Sequence, residues 1–460
     1  MNFTDTITAI ATPMGEGGIG IIRISGDHAK DIALKVLTKS SGQRITDMND
    51  HYMNYGKFFD PSTSQILDEV LFFYAKKPRS FTAEEVVEIH AHGGMLILSK
   101  ILSVVIANGA RLAEPGEFTM RAFLNGRIDL VQAESVIDLI RAKTDKAHQL
   151  ALTQLTGKTT QEINDLENSL YDLLINIEAS LDYPEEGIPE LQRSQAIKTV
   201  NYTKERLSYL ISHVDEGRKI REGIKIVIIG RPNVGKSSLL NAFLQEERAI
   251  VTEIPGTTRD TIEAQFQLQG IPITMVDTAG LRETDNPIER IGIEKATQLI
   301  EIADLILWVI DGSLPLNDDD KIALDKIDQQ KILAVINKAD LVQTVFKEDL
   351  NALSIFKTIE ISSLTRKGFD QLEAAIINLV GLGKLNVDDR PLLSRVRHKN
   401  ALEQALVFLE AFEAGLCNYQ SEDLLAVDLR SCLTAIGEIT GKNVNEEVLH
   451  GIFSHFCIGK

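Results

Sequence analysis

The sequence predicts a multidomain α/β protein: a P-loop domain with a mainly parallel, doubly wound sheet, inserted into an all-α region, with a separate α+β region ahead of both. Three observations carry this. Between residues 223 and 380, buried strands alternate with helical segments, the rhythm of a parallel sheet covered on both faces. Proline-free stretches with apolar residues at helical spacing flank that segment, from Phe118 to Tyr183 and again beyond Pro391. Residues 1–118 alternate short apolar runs with glycine-rich turns instead. A chain of 460 residues with 44% apolar side chains is long enough for roughly three domains.

The expected organisation is residues 1–118 as an N-terminal domain, 119–222 as the first part of a helical domain, 223–380 as the inserted domain, and 381–460 as the rest of the helical domain. In the first region "TITAIATP", "GIGIIRISG", "EVLFFYAKK" and "EEVVEIHAHGG" read as strands, and "MLILSKILSVVIANGA" as a helix. The helical stretch "LVQAESVIDLIRAKTDKAHQLALTQL" follows, is interrupted by "YPEEGIP", and resumes to about Arg221. In the third region "IKIVIIG", "PITMVDTAG", "DLILWVIDG", "KILAVINKAD" and "TIEISS" are buried strands. A domain of this kind inserts readily when its termini lie close together.

Composition restricts the partners. The net charge of −18 repels a phosphate backbone unless basic residues are locally concentrated. Two such runs, "RKIREGIK" and "RPLLSRVRHK", flank the inserted domain and are the candidates for an RNA contact. No stretch approaches the roughly 18 apolar residues of a membrane span, so no membrane association is expected. Cys417, Cys432 and Cys457 lack CxxC spacing, and the N-terminus shows no signal segment. Both suit a reducing cytoplasm.

The chemistry is densest at "IKIVIIGRPNVGKSSLL". Gly230 to Ser237 spell G-x-x-x-x-G-K-S directly after a strand and before a helix, the context a phosphate loop requires. Its backbone N–H groups and the helix N-terminus can cradle a phosphate. Lys236 supplies charge for the β- and γ-phosphates, and Ser237 a hydroxyl for Mg²⁺. Asn337, Lys338 and Asp340 of "NKAD" close a later strand. A carboxylate there accepts both N1–H and N2–H of guanine, and adenine would leave it unpaired. Ser362 and Ser363 suit the loop at the guanine oxygen. Asp277 to Gly280 suit the γ-phosphate side, and Thr257 or Thr258 the switch threonine on Mg²⁺. Together these define a GTPase. Its oddity is Leu281, standing where a water-orienting glutamine is expected. Glu283, Asp285 and Glu289 are nearby acids able to take that role.

Other patterns carry less. "GEGGIG" at Gly15 to Gly20 matches a dinucleotide fingerprint but leads into a strand, so a turn is expected. His90 and His92 share one strand face without an obvious third ligand, so hydrogen-bonded histidines are expected rather than a metal pair.

The order of "GRPNVGKSSLLN", "TEIPGTTRD", "DTAGLRETDNPIERIGIE" and "NKAD", with "GIGIIRISG" early and "FCIGK" at the end, resembles the bacterial tRNA-modification GTPase family MnmE, also called TrmE, over essentially the whole chain. The resemblance implies a tetrahydrofolate-binding-like, homodimerising N-terminal domain, a split helical domain and a Ras-like inserted G domain. It implies GTP contacts from Asn233, Val234, Gly235, Lys236, Ser237, Ser238, Thr252, Thr257, Thr258, Asp277, Thr278, Ala279, Gly280, Asn337, Lys338, Asp340, Ser362, Ser363 and Leu364. Mg²⁺ falls to Ser237 and Thr258, and K⁺ to Asn233, Thr252, Ile254 and Thr257. The water-orienting acid falls on Glu289.

For 5-formyltetrahydrofolate or a related folate, the resemblance points to Arg23, Glu88, Arg127 and Lys460, with Cys457 near the chemistry as a nucleophile or, in the plainer reading, as a small buried residue. The implied partners are a second copy, the flavoprotein MnmG (GidA) with its FAD, and tRNA; the implied product carries an aminomethyl or carboxymethylaminomethyl group at C5 of the wobble uridine. Two departures stand out: Glu16 where the family usually has a basic residue, and Pro287 beside Glu289. Two other classes stand beside this reading: a GTP-switched ribosome-assembly factor of the Era or Der type, without covalent chemistry, and a folate-dependent one-carbon transferase whose G domain is only regulatory.

Overall fold

A computed structural model describes residues 5–182, 193–245, 262–277, 298–317, 320, 324, 327–383 and 390–460. The chain divides into two compact units. One comprises Met1–Ile137, Leu155–Val200 and Val407–Lys460, the other Asp138–Gln154 and Asn201–Leu406.

The first unit opens with strands β1 (Ile7–Ile10), β2 (Gly17–Ser25), β3 (Leu37–Lys39), β4 (Tyr52–Asp60), β5 (Gln65–Ala75), β6 (Val86–Gly93) and β7 (Arg111–Leu112). They form one sheet in the order β3-β4-β5-β6-β2-β1-β7. All neighbours run antiparallel except β1 and β7. Helices α1 (Ala29–Val36) and α2 (Met95–Ala107) cover one face. Period-2 alternation decides which side chains they meet. Ile22 and Ile24 of β2 and Val87, Ile89 and Ala91 of β6 turn into a core with Ile32, Val36, Ile101 and Val105. The intervening Arg23 and Glu88 therefore share the opposite face. In "GEGGIG", Gly15 and Glu16 form a bend and Gly17 to Gly20 already belong to β2, with no helix directly after them.

Helices α3 (Glu117–Leu124), α4 (Leu130–Arg141), α5 (Asp145–Leu155), α6 (Lys158–Asp182) and α7 (Arg193–Glu222) come next. The buried side of α6 is Ile163, Leu166, Leu170, Leu173, Leu174 and Ile177, one stripe at helical period. The "YPEEGIP" interruption lies outside the described residues.

The second unit holds β8 (Ile224–Ile229), α8 (Lys236–Leu244), β9 (Ile262–Leu268), β10 (Ile271–Asp277), β11 (Leu305–Asp311), β12 (Ile332–Asn337), α9 (Lys347–Asn351), β13 (Thr358–Glu360) and α10 (Phe369–Leu379). Strand order is β13-β12-β11-β8-β10-β9, parallel throughout except for the β9–β10 hairpin. Alternation feeds two cores. Ile226, Ile228, Leu305, Leu307, Leu333 and Val335 pack with α8 and α10. Val227, Ile229, Ile306, Trp308, Ala334 and Ile336 face the other way with Leu350 and Ile355. Strands buried on both faces read as unbroken apolar runs, as "KIVIIG" and "LILWVI" do. The antiparallel β9, "IEAQFQL", is an edge strand that alternates instead.

The chain ends in α11 (Val396–Cys417), α12 (Glu422–Thr440) and α13 (Glu446–Phe453). Within the first unit α12 packs on α6, burying Leu425, Leu429, Cys432, Leu433 and Ile436. Asn445 caps α13, its side chain accepting the Val448 N–H at 2.9 Å.

Candidate functional site: a nucleotide cradle

Strand β8 ends at Ile229 and α8 begins at Lys236, so the phosphate loop spans the turn between them. Two glycines shape it. Gly235 has φ +102°, and a Cβ there would stand 2.1 Å from Asn337 Nδ2. Gly230 has φ +143°, and a Cβ would meet the Val309 carbonyl at 2.3 Å. Both demand glycine on two grounds, conformation and space. Asn233 is also left-handed, at φ +64°.

Lys236 is buried and folds back on the loop, its Nζ donating to the carbonyls of Gly230 at 2.9 Å and Arg231 at 2.7 Å. A phosphate replaces these neutral acceptors with charged ones, which bind an ammonium more strongly. Ser237 Oγ donates to Asp277 Oδ2 at 3.2 Å. That hydroxyl and carboxylate, brought together by the parallel β8–β10 pairing, are oxygen donors of the kind a hard cation selects, so the residues fit Mg²⁺.

The base side is built from β12 and the loop after β13. Asn337 is buried and ties three segments together. Its Nδ2 donates to the Val234 carbonyl at 2.9 Å, and its Oδ1 accepts Ser363 N–H at 2.9 Å and Ser363 Oγ–H at 3.0 Å. Ser362, wholly buried, bonds the Asp340 carboxylate and accepts Thr365 N–H at 3.1 Å. Asp340 itself is exposed. Val234 is buried, Ser238 is exposed, and the Leu364 side chain points to solvent. Leu364 therefore has only its backbone to offer.

One contributor was not read from the sequence. Asp311, at the end of β11, pairs with Lys338 Nζ at 2.5 Å and accepts Ser313 N–H at 3.0 Å and Ser313 Oγ–H at 2.6 Å. Burial alone would raise its pKa, but the Lys338 and Ser313 hydrogen bonds hold it below the usual carboxylate range. The signal was an aspartate closing a wholly apolar strand.

Thr252, Ile254, Thr257, Thr258, Thr278, Ala279, Gly280, Leu281, Glu283, Asp285, Pro287 and Glu289 lie outside the described residues.

A second constellation lies on the open face of the N-terminal sheet. The register places Phe73, Glu88, Arg23 and Ala9 in one row across β5, β6, β2 and β1. Arg23 Nε donates to Glu88 Oε1 at 2.8 Å, and Arg23 Nη1 to the Gly459 carbonyl at 3.3 Å. The tail is seated there. Gly459 has φ +93° and a Cβ would lie 2.4 Å from the Ile10 carbonyl. Gly116 N–H donates to the Cys457 carbonyl at 3.3 Å. Phe81 stands between two guanidinium groups, with Arg23 5.6 Å and Arg127 5.2 Å from its ring centre. A cavity of about 400 Å³ includes Phe73, Phe81, Glu88 and Arg127 in its lining.

The electrostatics of this face are mixed. The His90 contact, opposed by burial and helped by Arg23, keeps Glu88 below its ordinary pKa. Burial, with the Arg23 charge beside it, lowers that of Lys460. Cys457 is exposed, which corrects the reading of it as a small buried residue. The buried thiol is Cys432, pushed up to about 12 by burial. His92 bonds Asp68 at 2.7 Å, and no group of three or more metal-ligating side chains occurs among the described residues. No helix among the described residues is long and apolar enough to cross a membrane.

A glycine loop between strand and helix, a lysine on it, a hydroxyl–carboxylate pair and an N-K-x-D loop tied to the same frame define the class: a P-loop GTPase. Comparison with known proteins narrows it. The family described as MnmE helical domain matches residues 130–457, and GTP-binding protein TrmE N-terminus matches residues 6–127. The tRNA modification GTPase MnmE of Desulforamulus reducens is 46% identical over 99% of both chains, and that of Thermoanaerobacter pseudethanolicus 45% identical over the same shares. A solved structure, the G domain of the T. maritima FeoB iron transporter, is 26% identical, covers 34% of this chain and 98% of its own, and has a TM-score of 0.27. The chain belongs to the tRNA-modification GTPase family MnmE (TrmE). It is a GTP hydrolase acting in tRNA modification.

Proposed function

We propose that this GTPase is potassium-dependent and works with the flavoprotein MnmG to install an aminomethyl or carboxymethylaminomethyl group at C5 of wobble uridine 34. The observation that carries the nucleotide half is the Asn337 lattice, which ties the phosphate loop at Val234 to the base loop at Ser363. In this reading Lys236 leaves the loop carbonyls for the β- and γ-phosphates, and Asp340 receives guanine. Ser237, with Thr258, would hold Mg²⁺, which neutralises charge developing on the phosphates. Asn233, with Thr252, Ile254 and Thr257, would hold K⁺, the positive charge an arginine finger supplies elsewhere. Asn233 supports this with a left-handed backbone and an exposed side chain. Glu289 orients the attacking water that Leu281 cannot. Thr278, Ala279 and Gly280 line the γ-phosphate side.

The folate half is supported by the composition of the cavity. An ionised Glu88 accepts paired N–H donors of a pterin, Phe73 and Phe81 offer flat apolar surface, and Arg127 and Lys460 offer charge for the folate carboxylates. Cys457, exposed on a seated tail, lies beside that chemistry. The boundaries 1–118, 119–222, 223–380 and 381–460, a homodimer with facing G domains, FAD on MnmG and a cytoplasmic location complete the proposal. Nucleotide-driven opening and closing would signal through the helices.

GTP hydrolysis by the full chain in potassium against sodium chloride tests the cation. A rate at least tenfold higher in potassium is expected, and equal slow rates would remove K⁺ from the site. Nucleoside analysis of tRNA from a deletion strain tests the product. An unchanged wobble uridine profile would favour a ribosome-assembly switch instead.

A further inference from the structure

Several cations of the two basic runs flanking the G domain are paired within their own unit. Arg218 pairs with Asp304 at 2.8 Å, Arg395 with Asp138 at 2.7 Å, and Lys399 with Asp215 at 3.5 Å. Arg221 differs. It lies at the C-terminal end of α7 and is largely buried, and its Nη1 has no hydrogen-bond partner among the described residues. A buried guanidinium N–H left unmatched is costly, and its natural complement is an oxyanion.

Arg221 is among the residues that line a cavity of about 120 Å³. Arg141 and Lys143, from the end of α4 and the turn after it, line the same space, as do Gln265 of β9 and Thr274 of β10. Three cations thus converge on one small polar hollow. Lys143 Nζ donates to Gln265 Oε1 at 2.7 Å, which holds it at the rim. The one lining carboxylate, Glu222, is already engaged by Arg221 Nη2 and lies 3.7 Å from Arg218 Nη1. Its charge is spent on neighbours rather than aimed at a guest.

We propose that Arg221, Arg141 and Lys143 form a binding site for a phosphate group, the chemistry shared by an RNA backbone and by free phosphate. Only the choice of RNA as source rests on the function proposed above. The site has a built-in link to the nucleotide. Its wall at Pro272 to Thr274 belongs to β10, the strand that ends at Asp277 beside Ser237. A phosphate drawn onto Arg221 therefore bears on the strand that carries the Mg²⁺-side carboxylate.

The test uses the full chain, the double variant Arg221→Gln/Lys143→Gln, and Lys143→Gln alone, whose exposed side chain leaves folding intact. Fluorescence anisotropy with unfractionated tRNA across a potassium chloride series is paired with calorimetric titration of inorganic phosphate. Loss of one phosphate contact weakens tRNA binding about fivefold at low salt and lowers the salt slope by about one. That outcome supports the site with RNA as its source. Unchanged tRNA binding with loss of phosphate binding supports it with a free anion as source. Wild-type behaviour of both variants in both titrations overturns it, whatever the potassium and wobble-uridine experiments show.

Discussion

Asp311 shows how one side chain outside every recognised motif enters the site. It fixes Lys338, whose backbone is itself left-handed at φ +64°, at the edge of the base pocket. Hydrogen bonds to charged groups contribute roughly 1.5–3 kcal/mol, so Asp311→Asn should weaken GDP binding about tenfold. Titration with a fluorescent guanine nucleotide checks it, and wild-type affinity would separate Asp311 from the site. At the same scale the thiols are ranked. Cys417 and Cys457 are exposed and Cys432 is buried with a raised pKa, so the native protein should release two equivalents in a thiol-reagent assay at pH 8 and the third only after unfolding. The row Phe73, Glu88, Arg23 is not visible in the sequence, because those residues come from three strands and meet only through register.

At the scale of elements, helix α3 is fastened to the N-terminal sheet by charge. Arg121 is fully buried and bonds Glu117 at 2.9 Å, Asp5 at 2.7 Å and Glu84 at 3.2 Å. Removing one partner from a buried cluster leaves the others uncompensated, at about 3–5 kcal/mol. Arg121→Met should lower the urea midpoint of the first unit accordingly. The same cluster sets a pH response. Burial pushes the Glu117 carboxyl up, but Arg111, the Glu114 N–H and Arg121 together hold it below its ordinary value. A carboxylate depressed in the folded state stabilises above its unfolded pKa and loses that contribution as pH falls through the folded one. Urea midpoints should therefore be level from pH 7 to 5 and drop below about pH 4; a flat profile to pH 3 would count against the cluster. The secondary structure around it was partly legible: short apolar runs between glycine-rich turns predicted β1, β2, β5 and β6, and buried apolar runs predicted β8, β10, β11, β12 and β13. The nine-residue β4, the edge strand β9 and the short β3 and β7 were not read as strands, because their pairing rather than an apolar run makes them so.

For the whole molecule, the nucleotide cradle belongs to the second compact unit, while the Arg23–Glu88 face and the seated tail belong to the first. Deleting Cys457 to Lys460 removes Gly459 from Arg23 and the Lys460 charge from beside Arg23 and Glu88. The truncated protein should lose binding of 5-formyltetrahydrofolate in a calorimetric titration and keep wild-type affinity for GDP. Retained folate binding would detach the tail from that site.

The sequence by itself determined the GTPase, because the phosphate loop, the guanine-reading carboxylate and each buried strand of the doubly wound sheet are each written in a short local stretch of the chain. It also determined the family, through motifs in fixed order. Only the tertiary structure decided what each charge meets. Arg395 and Arg221 look alike in sequence, yet one meets Asp138 and the other opens onto a small polar hollow. The reason is physical: an ion pair is set by distance in space, and spacing along the chain fixes that distance only within a single element.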